Sequence, residues 1–287
     1  MASNATRLVT IAALLVATSV LLVPQALGGD GGVKVNKKVA AEVPAAFKAK
    51  GTLTVAADAT YAPNEFIASN GKTVIGMDAD LAKALGTVMG LKVKVVNATF
   101  DSIIPGLASH KYDLGMSSFT DTKAREKVVD FVTYFSAGTS FYVKASGGPA
   151  ISSLKSLCGH TVAVEKGTTQ QADATAQGKK CKVTVSAYPD QNGVNLALSS
   201  GRAQVAMADS PVAAYQVKQS KGQFKLTGKP YGTAPYGIAI PKKSGLAVPV
   251  RDALKVLMKS GAYKTILTKW GVQQGAISNP KINAAVS

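Results

Sequence analysis

The chain has very few of the side chains that bind transition metals. Its 287 residues include two histidines, His110 and His160, and two cysteines, Cys158 and Cys181. Their spacing fits no zinc site, and the sequence has neither a phosphate-binding loop nor a nucleophile paired with a base. We therefore expect no metal and no cofactor.

Cysteine is absent before Cys158, which excludes the lipid-modified cysteine that tethers many exported bacterial proteins. The N-terminus has one early cation, Arg7, then an apolar run over residues 8–23 and small residues up to Gly28. This pattern predicts an export signal over residues 1–28 that is removed by cleavage. An uncleaved anchor is the alternative, although the run is short against the roughly 20 apolar residues of a spanning helix. We expect a soluble periplasmic or extracellular protein.

Export into an oxidising compartment predicts a disulfide between Cys158 and Cys181. The closed loop would stabilise the fold by roughly 3.5 kcal/mol in the chain-entropy model. Two free buried thiols are the alternative.

Acidic residues are also scarce: 16 aspartates and glutamates stand against 33 lysines and arginines, a formal net charge of +17. Such an excess is typical of nucleic-acid binding when it is clustered. Here it is nearly all lysine and is scattered along the chain. We expect no nucleic-acid partner, and adsorption to anionic cell-surface polymers remains an alternative on charge alone.

The hydrophobic content of 46% and the length are enough for two compact lobes. Residues 29–50 are expected to form a leader and a short helix. From Gly51 onwards strands alternate with helices in two series, which predicts an α/β fold. Strands are predicted at residues 52–57, 92–97, 112–116, 161–164, 183–185, 205–207 and 236–240, and helices at 77–89, 103–109, 169–176, 194–199, 211–219, 248–258 and 263–269.

Polar side chains directly follow four of the predicted strands. In open α/β sheets ligands bind beyond the carboxyl ends of the strands. Four separate loops are therefore predicted to face one cleft. These residues are Asp58, the pair Ser117 and Ser118, the pair Thr168 and Thr169, and Asp209.

Arg125 is the only arginine between Arg7 and Arg202. Its planar fork of donors, together with nearby hydroxyls, suits a carboxylate, and the lone carboxylate of Asp209 suits an ammonium group. Together they would hold the two charged ends of a free amino acid. The plain alternatives are an exposed arginine on a helix capped by Thr122, and a helix cap at Asp209.

Several segments in a fixed order resemble the periplasmic polar amino-acid binding proteins of ABC importers, the family 3 extracellular solute-binding proteins. The likeness extends from about residue 43 to 271. The segments are GTLTVAADATYAP (51–63), GMDADL (76–81), FDSIIPGL (100–107), DLGMSSFTDTKAR (113–125), VEKGTTQ (164–170), VAMADSP (205–211) and YKTILTKWG (263–271).

The resemblance implies a two-lobed type II periplasmic-binding-protein fold with two mixed sheets flanked by helices. Its lobes would be residues 51–137 plus 235–287 and residues 138–234, joined by two hinge strands near 137–140 and 229–234. It also implies a monomer that captures a free L-amino acid by closing its lobes. The partners would be a membrane permease and its ATPase. A soluble amino-acid sensor and a dehydratase on the same fold are the alternatives.

The resemblance also implies roles for single residues. Arg125 with Ser117, Ser118 and Thr120 would hold the ligand α-carboxylate, assisted by Thr168 and Thr169, and Asp209 would hold the α-amino group. Tyr61 and Phe100 would sandwich the ligand side chain, with plain core packing as the alternative. Asp58 and Glu165 would face its distal end, where they would repel a second ligand carboxylate. We therefore expect a neutral amide or a basic amino acid. Asn64 follows Pro63 where the family commonly has phenylalanine, which leaves the shape of the side-chain pocket open.

Overall fold

The computed structural model describes residues 32–286, in which strands and helices alternate. The predicted export signal, residues 1–28, lies outside them. The strands are β1 (Thr52–Ala57), β2 (Thr60–Tyr61), β3 (Glu65–Ile67), β4 (Val74–Ile75), β5 (Lys92–Asn97), β6 (Leu114–Gly115), β7 (Val129–Lys144), β8 (Thr161–Glu165), β9 (Thr184–Tyr188), β10 (Val205–Asp209) and β11 (Phe224–Pro241). The helices are α1 (Lys37–Glu42), α2 (Ala45–Lys50), α3 (Met77–Met89), α4 (Phe100–Ala108), α5 (Lys123–Glu126), α6 (Thr169–Gly178), α7 (Gln191–Ser200), α8 (Ser210–Gln219), α9 (Ala247–Ser260) and α10 (Ala262–Lys269).

Eight strands form one mixed sheet in the order β5-β1-β6-β11-β7-β10-β8-β9. Strand β1 pairs in parallel with β5 and β6, and β8 pairs in parallel with β9 and β10. Strands β7 and β11 are antiparallel to their neighbours. A small antiparallel sheet contains β2, β3 and β4. The predicted mixed α/β class is therefore confirmed.

Two long strands run through the middle of the large sheet. Strands β7 and β11 pair from Val129 with Pro241 to Lys144 with Phe224, and the register shifts between Thr227 and Ala234. The predicted hinge segments, 137–140 and 229–234, lie within these strands. Because β7 and β11 run through both predicted lobes without a break, the strands of the two lobes belong to one hydrogen-bonded sheet. The lobe boundaries themselves stay a prediction.

Helix α3 shows how the sequence pattern builds one of these layers. Its buried residues Met77, Leu81, Leu85 and Val88 recur at the spacing of one helix face. The helix ends at Gly90, whose left-handed backbone (φ 71°) suits glycine. Each such apolar side chain contributes roughly 1.5–3 kcal/mol when it is fully buried. The face packs against β1, β5, α9 and α10 in the larger apolar core.

The segment before β1 is more ordered than the expected leader. Asn36 caps α1, and Val39 and Val43 are buried in the larger core. The amide of Asn36 donates to the carbonyl oxygen of Val88 in α3 (2.9 Å). The sequence did not predict α1, because one amphipathic turn is too short to show a period.

Cys158 and Cys181 form the predicted disulfide, with their Cα atoms 5.7 Å apart. It joins the segment before β8 to the turn between α6 and β9. None of the helices between residues 32 and 286 combines the length and apolar character needed to cross a membrane.

Candidate functional site

One cavity lies where strands β1, β6, β8 and β10 end. About 280 Å³ of space in and around it, open solvent included, is not filled by atoms. All eleven residues that the sequence predicts for the site line it, together with Gln170. The lining residues are Asp58, Tyr61, Phe100, Ser117, Ser118, Thr120, Arg125, Glu165, Thr168, Thr169, Gln170 and Asp209.

The guanidinium group of Arg125 is held from several sides. Its Nη1 donates to the carbonyl oxygen of Thr120 (2.8 Å) and its Nη2 donates to the carbonyl oxygen of Gly167 (2.9 Å). The aromatic rings of Phe100 and Phe119 lie 5.3 and 5.4 Å from its Cζ atom, within the range of a cation–π contact. Arginine has five N–H donors, so donors remain for a carboxylate.

Arg125 is partly buried, yet its side chain remains a cation at neutral pH. Burial lowers the pKa of its side chain to about 10, and Asp209 opposes this shift. Thr122 caps α5 as the plain reading expects, because its hydroxyl accepts from the Arg125 amide (3.3 Å). Capping fixes the backbone of α5 and leaves the guanidinium group free to face the cavity.

Ser117 and Ser118 shape the loop after β6. Ser118 has a left-handed backbone (φ 53°), which is uncommon outside glycine. Its amide donates to Asp78 Oδ2 (2.9 Å) and its hydroxyl donates to Glu65 Oε2 (3.3 Å) and accepts from Asn64 Nδ2 (2.8 Å). Ser117 donates its hydroxyl to Glu65 Oε1 (2.9 Å). Both hydrogens of Ser118 are therefore used inside the protein, and its contact with a ligand carboxylate stays a prediction.

Thr168 and Thr169 begin α6. Thr168 caps the helix: its hydroxyl accepts from the Gln171 amide (3.2 Å) and donates to the carbonyl oxygen of Glu165 (2.7 Å). Thr169 is the first residue of the helix. Free amides at a helix N-terminus attract anions, so this end of α6 suits the carboxylate of a ligand.

Asp209 ends β10 and is 7% exposed. Its Oδ1 accepts from Gln170 Nε2 (2.7 Å), which also donates to Thr139 Oγ1 (2.8 Å), and its amide donates to the hydroxyl of Tyr61 (2.9 Å). Burial raises the pKa of Asp209, while hydrogen bonds from Tyr236 and Gln170 oppose the shift. Asp209 occupies the N-cap position of α8, but its side chain makes no capping bond to the helix.

Gln170 is the site residue that the sequence did not single out. It follows Thr169 in the first turn of α6, and glutamine is ordinary on a helix. Its side chain is 3% exposed. The signal in the sequence was its place beside two residues that were predicted to face the cavity.

Glu165 ends β8 with its carboxyl group buried, at 2% exposure. Burial and the nearby carboxylates of Asp58, Asp209 and Asp190 raise its pKa well above the usual value. In the described part of the chain no donor reaches its Oε1 atom. This side chain needs a partner to ionise.

Asp58 lies against Glu165 and has partners of its own. Its Oδ1 accepts from the amide and hydroxyl of Thr60 (3.2 and 2.6 Å), and its Oδ2 accepts from the Phe100 amide (3.0 Å). Burial nonetheless raises its pKa. Lys166 does not neutralise this pair, because its exposed amine pairs with Asp101 (2.8 Å).

Tyr61 and Phe100 both line the cavity and are also packed against protein. The Tyr61 hydroxyl is held by the Asp209 amide, and the ring of Phe100 stacks on Phe119 with centroids 4.4 Å apart. The structure brings the two aromatic residues to the site. Their contact with a ligand side chain stays a prediction.

The comparisons with known proteins agree with this geometry. A sequence model of bacterial extracellular solute-binding proteins, family 3, matches residues 53–273. The arginine-binding protein ArgT of Corynebacterium glutamicum is 32% identical over 254 residues, which are 86% of this chain and 83% of that protein.

Solved structures show the same fold. An ancestral arginine-binding protein bound to arginine is 37% identical with a TM-score of 0.74, over 77% of this chain and 98% of that one. An ancestral amino acid-binding protein that is a precursor of cyclohexadienyl dehydratase is 36% identical with a TM-score of 0.72, over 78% and 97%. The chain therefore belongs to the family 3 bacterial extracellular solute-binding proteins.

Proposed function

We propose that the protein is an exported binding protein that captures a free L-amino acid with a cationic side chain, with arginine as the first candidate. It then delivers this ligand to the permease and ATPase of an ABC importer. The observation that carries the proposal is the buried acidic pair, Asp58 and Glu165, in the same cavity as Arg125, which suits a ligand carboxylate, and Asp209, which suits a ligand ammonium group. Similarity to arginine-binding proteins supports it.

The charges that line the cavity match such a ligand group by group. There is one cation, Arg125, against three carboxyl groups, Asp58, Glu165 and Asp209. A ligand carboxylate would pair with Arg125 and its α-ammonium with Asp209. Asp58 and Glu165 would then receive a guanidinium or a second ammonium group, and both could ionise. A neutral amide such as that of glutamine would donate hydrogen bonds to Asp58 and Glu165 but would not neutralise their charge, and the second carboxylate of glutamate would be repelled.

Arg125 comes from the first predicted lobe, whereas Glu165 and Asp209 come from the second. A ligand that contacts both lobes favours the closed arrangement, since only there are all its contacts made. Charge-assisted hydrogen bonds contribute roughly 1.5–3 kcal/mol each, and micromolar affinity requires about 8 kcal/mol. Three such bonds give roughly 4.5–9 kcal/mol together, so the second bond of a bidentate pair and burial of the ligand against the aromatic residues have to offset the cost of lobe closure.

A dehydratase is a second candidate because of one observation at the site. Such chemistry needs a protonated acid in the cavity, and burial with the nearby carboxylates raises the pKa of Glu165 well above its usual value, which favours the protonated form. The related precursor of cyclohexadienyl dehydratase is itself described as an amino acid-binding protein. The pairing of Arg125 with Asp209 favours a zwitterion, so we place the dehydratase second.

Calorimetric titration tests the proposal. The chain from residue 29, unfolded and refolded to remove retained ligand, would be titrated with arginine, lysine, glutamine and glutamate. Agmatine, which keeps the guanidinium group and lacks the carboxylate, is the matched ligand control. We expect micromolar or tighter binding of arginine or lysine and a loss of at least about 100-fold for agmatine. Silence towards every amino acid, with turnover of prephenate, would replace the proposal with the dehydratase.

A further inference from the structure

We infer that the C-terminal segment 281–285, called the tail below, is a positioning segment for Arg125 and sets the affinity of the site. The inference rests on the proposed function, because it concerns the residue that would hold the ligand carboxylate. The family match ends at residue 273. The tail therefore lies outside the part of the chain that the family model matches.

The tail pairs with the beginning of β7. Lys281 and Thr133 exchange two hydrogen bonds: the Thr133 amide donates to the Lys281 carbonyl oxygen (2.8 Å), and the Lys281 amide donates to Thr133 Oγ1 (2.9 Å). Asn283 and Phe131 also exchange two hydrogen bonds. The Asn283 amide donates to the Phe131 carbonyl oxygen (3.0 Å), and the Phe131 amide donates to Asn283 Oδ1 (2.8 Å). These bonds, with a bridge between Val132 and Ile282, hold the tail as a short extra strand.

Beyond this pairing the tail reaches both ends of α5. The amide of Ala284 donates to Asp121 Oδ2 (2.8 Å), and the amide of Ala285 donates to Glu126 Oε1 (3.0 Å). Asp121 directly precedes the cap of α5, and Glu126 is its last residue. Arg125 lies between these two attachment points. Two backbone amides of the tail thus hold α5 by donating hydrogen bonds to two of its flanking carboxyl groups.

Helix α5 depends on such contacts because it has only four residues. A single helical turn is not stable by itself in water. The carboxyl groups of Asp121 and Glu126 also interact with each other, and burial together with Glu126 raises the pKa of Asp121 to about 6. Without the tail amides these two groups would lose donors that favour their charged forms. The helix, and the guanidinium group it carries, would then shift or loosen.

The geometry needed from Arg125 is strict. Bidentate binding of a carboxylate requires both guanidinium donors at hydrogen-bond distance at once. In enzymes an error of about 1 Å in the position of a reacting group costs up to about 100-fold in rate, and we expect a bidentate contact to be similarly sensitive to position. Attachment of α5 therefore acts on affinity without any contact between the tail and the ligand.

Two chains test the inference against the wild type: one that ends at Pro280, and the full-length variant Glu126→Ala, which loses the attachment of Ala285. Each is titrated with arginine in the Arg125 and the Arg125→Lys backgrounds. If the tail acts through Arg125, truncation weakens binding by about tenfold or more in the first background and by less than about twofold in the second. Glu126→Ala is expected to weaken binding by about threefold, with the same dependence on Arg125.

Hydrogen exchange gives a readout that does not depend on ligand. Amides of residues 120–128 should exchange faster in the truncated chain, whereas those of β5 should not change. Equal losses of affinity in both backgrounds, or unchanged exchange at α5, would overturn the inference and leave the proposed function intact. If the truncated chain does not fold, the Glu126→Ala result decides. A wild-type chain that binds no amino acid would overturn both.

Discussion

Arg125 Nη2 donates to the carbonyl oxygen of Gly167 (2.9 Å), and this bond joins helix α5 to the loop between β8 and α6. Other contacts cross the same cleft. The Asp209 amide donates to the Tyr61 hydroxyl, and Lys166 pairs with Asp101. The groups proposed to hold a ligand thus take part in the contacts that hold the cleft together.

Replacing Arg125 with alanine should remove amino-acid binding. Two charge-assisted hydrogen bonds contribute roughly 3–6 kcal/mol together, so the affinity should fall by at least about 100-fold. Calorimetric titration with arginine measures the loss. The matched control is Arg251→Ala, because Arg251 pairs with Asp252 on α9, away from the cavity. Wild-type affinity in Arg125→Ala would show that the carboxylate is held elsewhere.

Replacing Glu165 with glutamine should change selectivity rather than abolish binding. The amide cannot pair with a cation, but it keeps the shape of the side chain. We expect arginine affinity to fall by about tenfold or more while glutamine affinity changes by less than about threefold. Parallel titrations of both ligands measure this difference, with Asp252→Asn as a control because Asp252 pairs with Arg251 and Lys255 on α9, away from the cavity. Equal losses for the two ligands would argue that Glu165 does not face the ligand side chain.

Strand ends made much of the site predictable. Asp58, Glu165 and Asp209 each stand at the end of a buried strand. Strands β8 and β10 run parallel, which brings Glu165 and Asp209 together, and β1 ends at the same cavity from the other side of β7 and β11. The helix face of α3 and its glycine stop were equally clear, so its bounds were predicted to the residue. At these positions the pattern of residues in the sequence predicts the same strand and helix ends that the fold contains.

Other features depend on contacts that leave no local pattern. Strands β2 and β4 have two residues each, too few for an alternating pattern. The role of Ser118 depends on Asp78, which lies 40 residues away in the sequence. The attachment of α5 by the tail joins residues more than 150 apart. Only the folded structure shows such pairings.

Binding of arginine should release a proton from Glu165. Burial and neighbouring acids raise the pKa of Glu165 well above 4.5 in the free protein, so the group stays protonated up to a higher pH than an ordinary glutamate. A bound cation favours the carboxylate and lowers that pKa. The affinity for arginine should therefore increase as the pH rises towards the pKa of the free protein and then level off.

Calorimetry in buffers of different ionisation enthalpy measures the released proton directly. Glu165→Gln should release less than the wild type, and glutamine binding should release almost none. Asp58 has a raised pKa as well, so Asp58→Asn is the companion variant. The same proton release for arginine in the wild type and in Glu165→Gln would assign the proton to another group.

Glu65 should make the fold less stable as the pH rises. Its carboxyl group is fully buried beside Asp78, and burial with this neighbour raises its pKa well above 4.5. Between about pH 4.5 and the raised pKa the folded protein keeps a proton that the unfolded chain loses, so the free energy of unfolding falls with increasing pH. Asp78, whose pKa burial raises to about 6, shifts stability in the same direction.

The variant Glu65→Gln isolates this contribution because glutamine does not titrate and its amide can donate where the protonated oxygen does. We expect its free energy of unfolding, relative to the wild type, to be higher at about pH 8 than at about pH 4.5. Urea denaturation at both pH values measures the difference. An unchanged difference would mean that Glu65 is ionised in the folded protein. Since Glu65 accepts hydrogen bonds from Ser117 and Ser118, that outcome would also place a negative charge directly behind the loop that is proposed to face the ligand carboxylate.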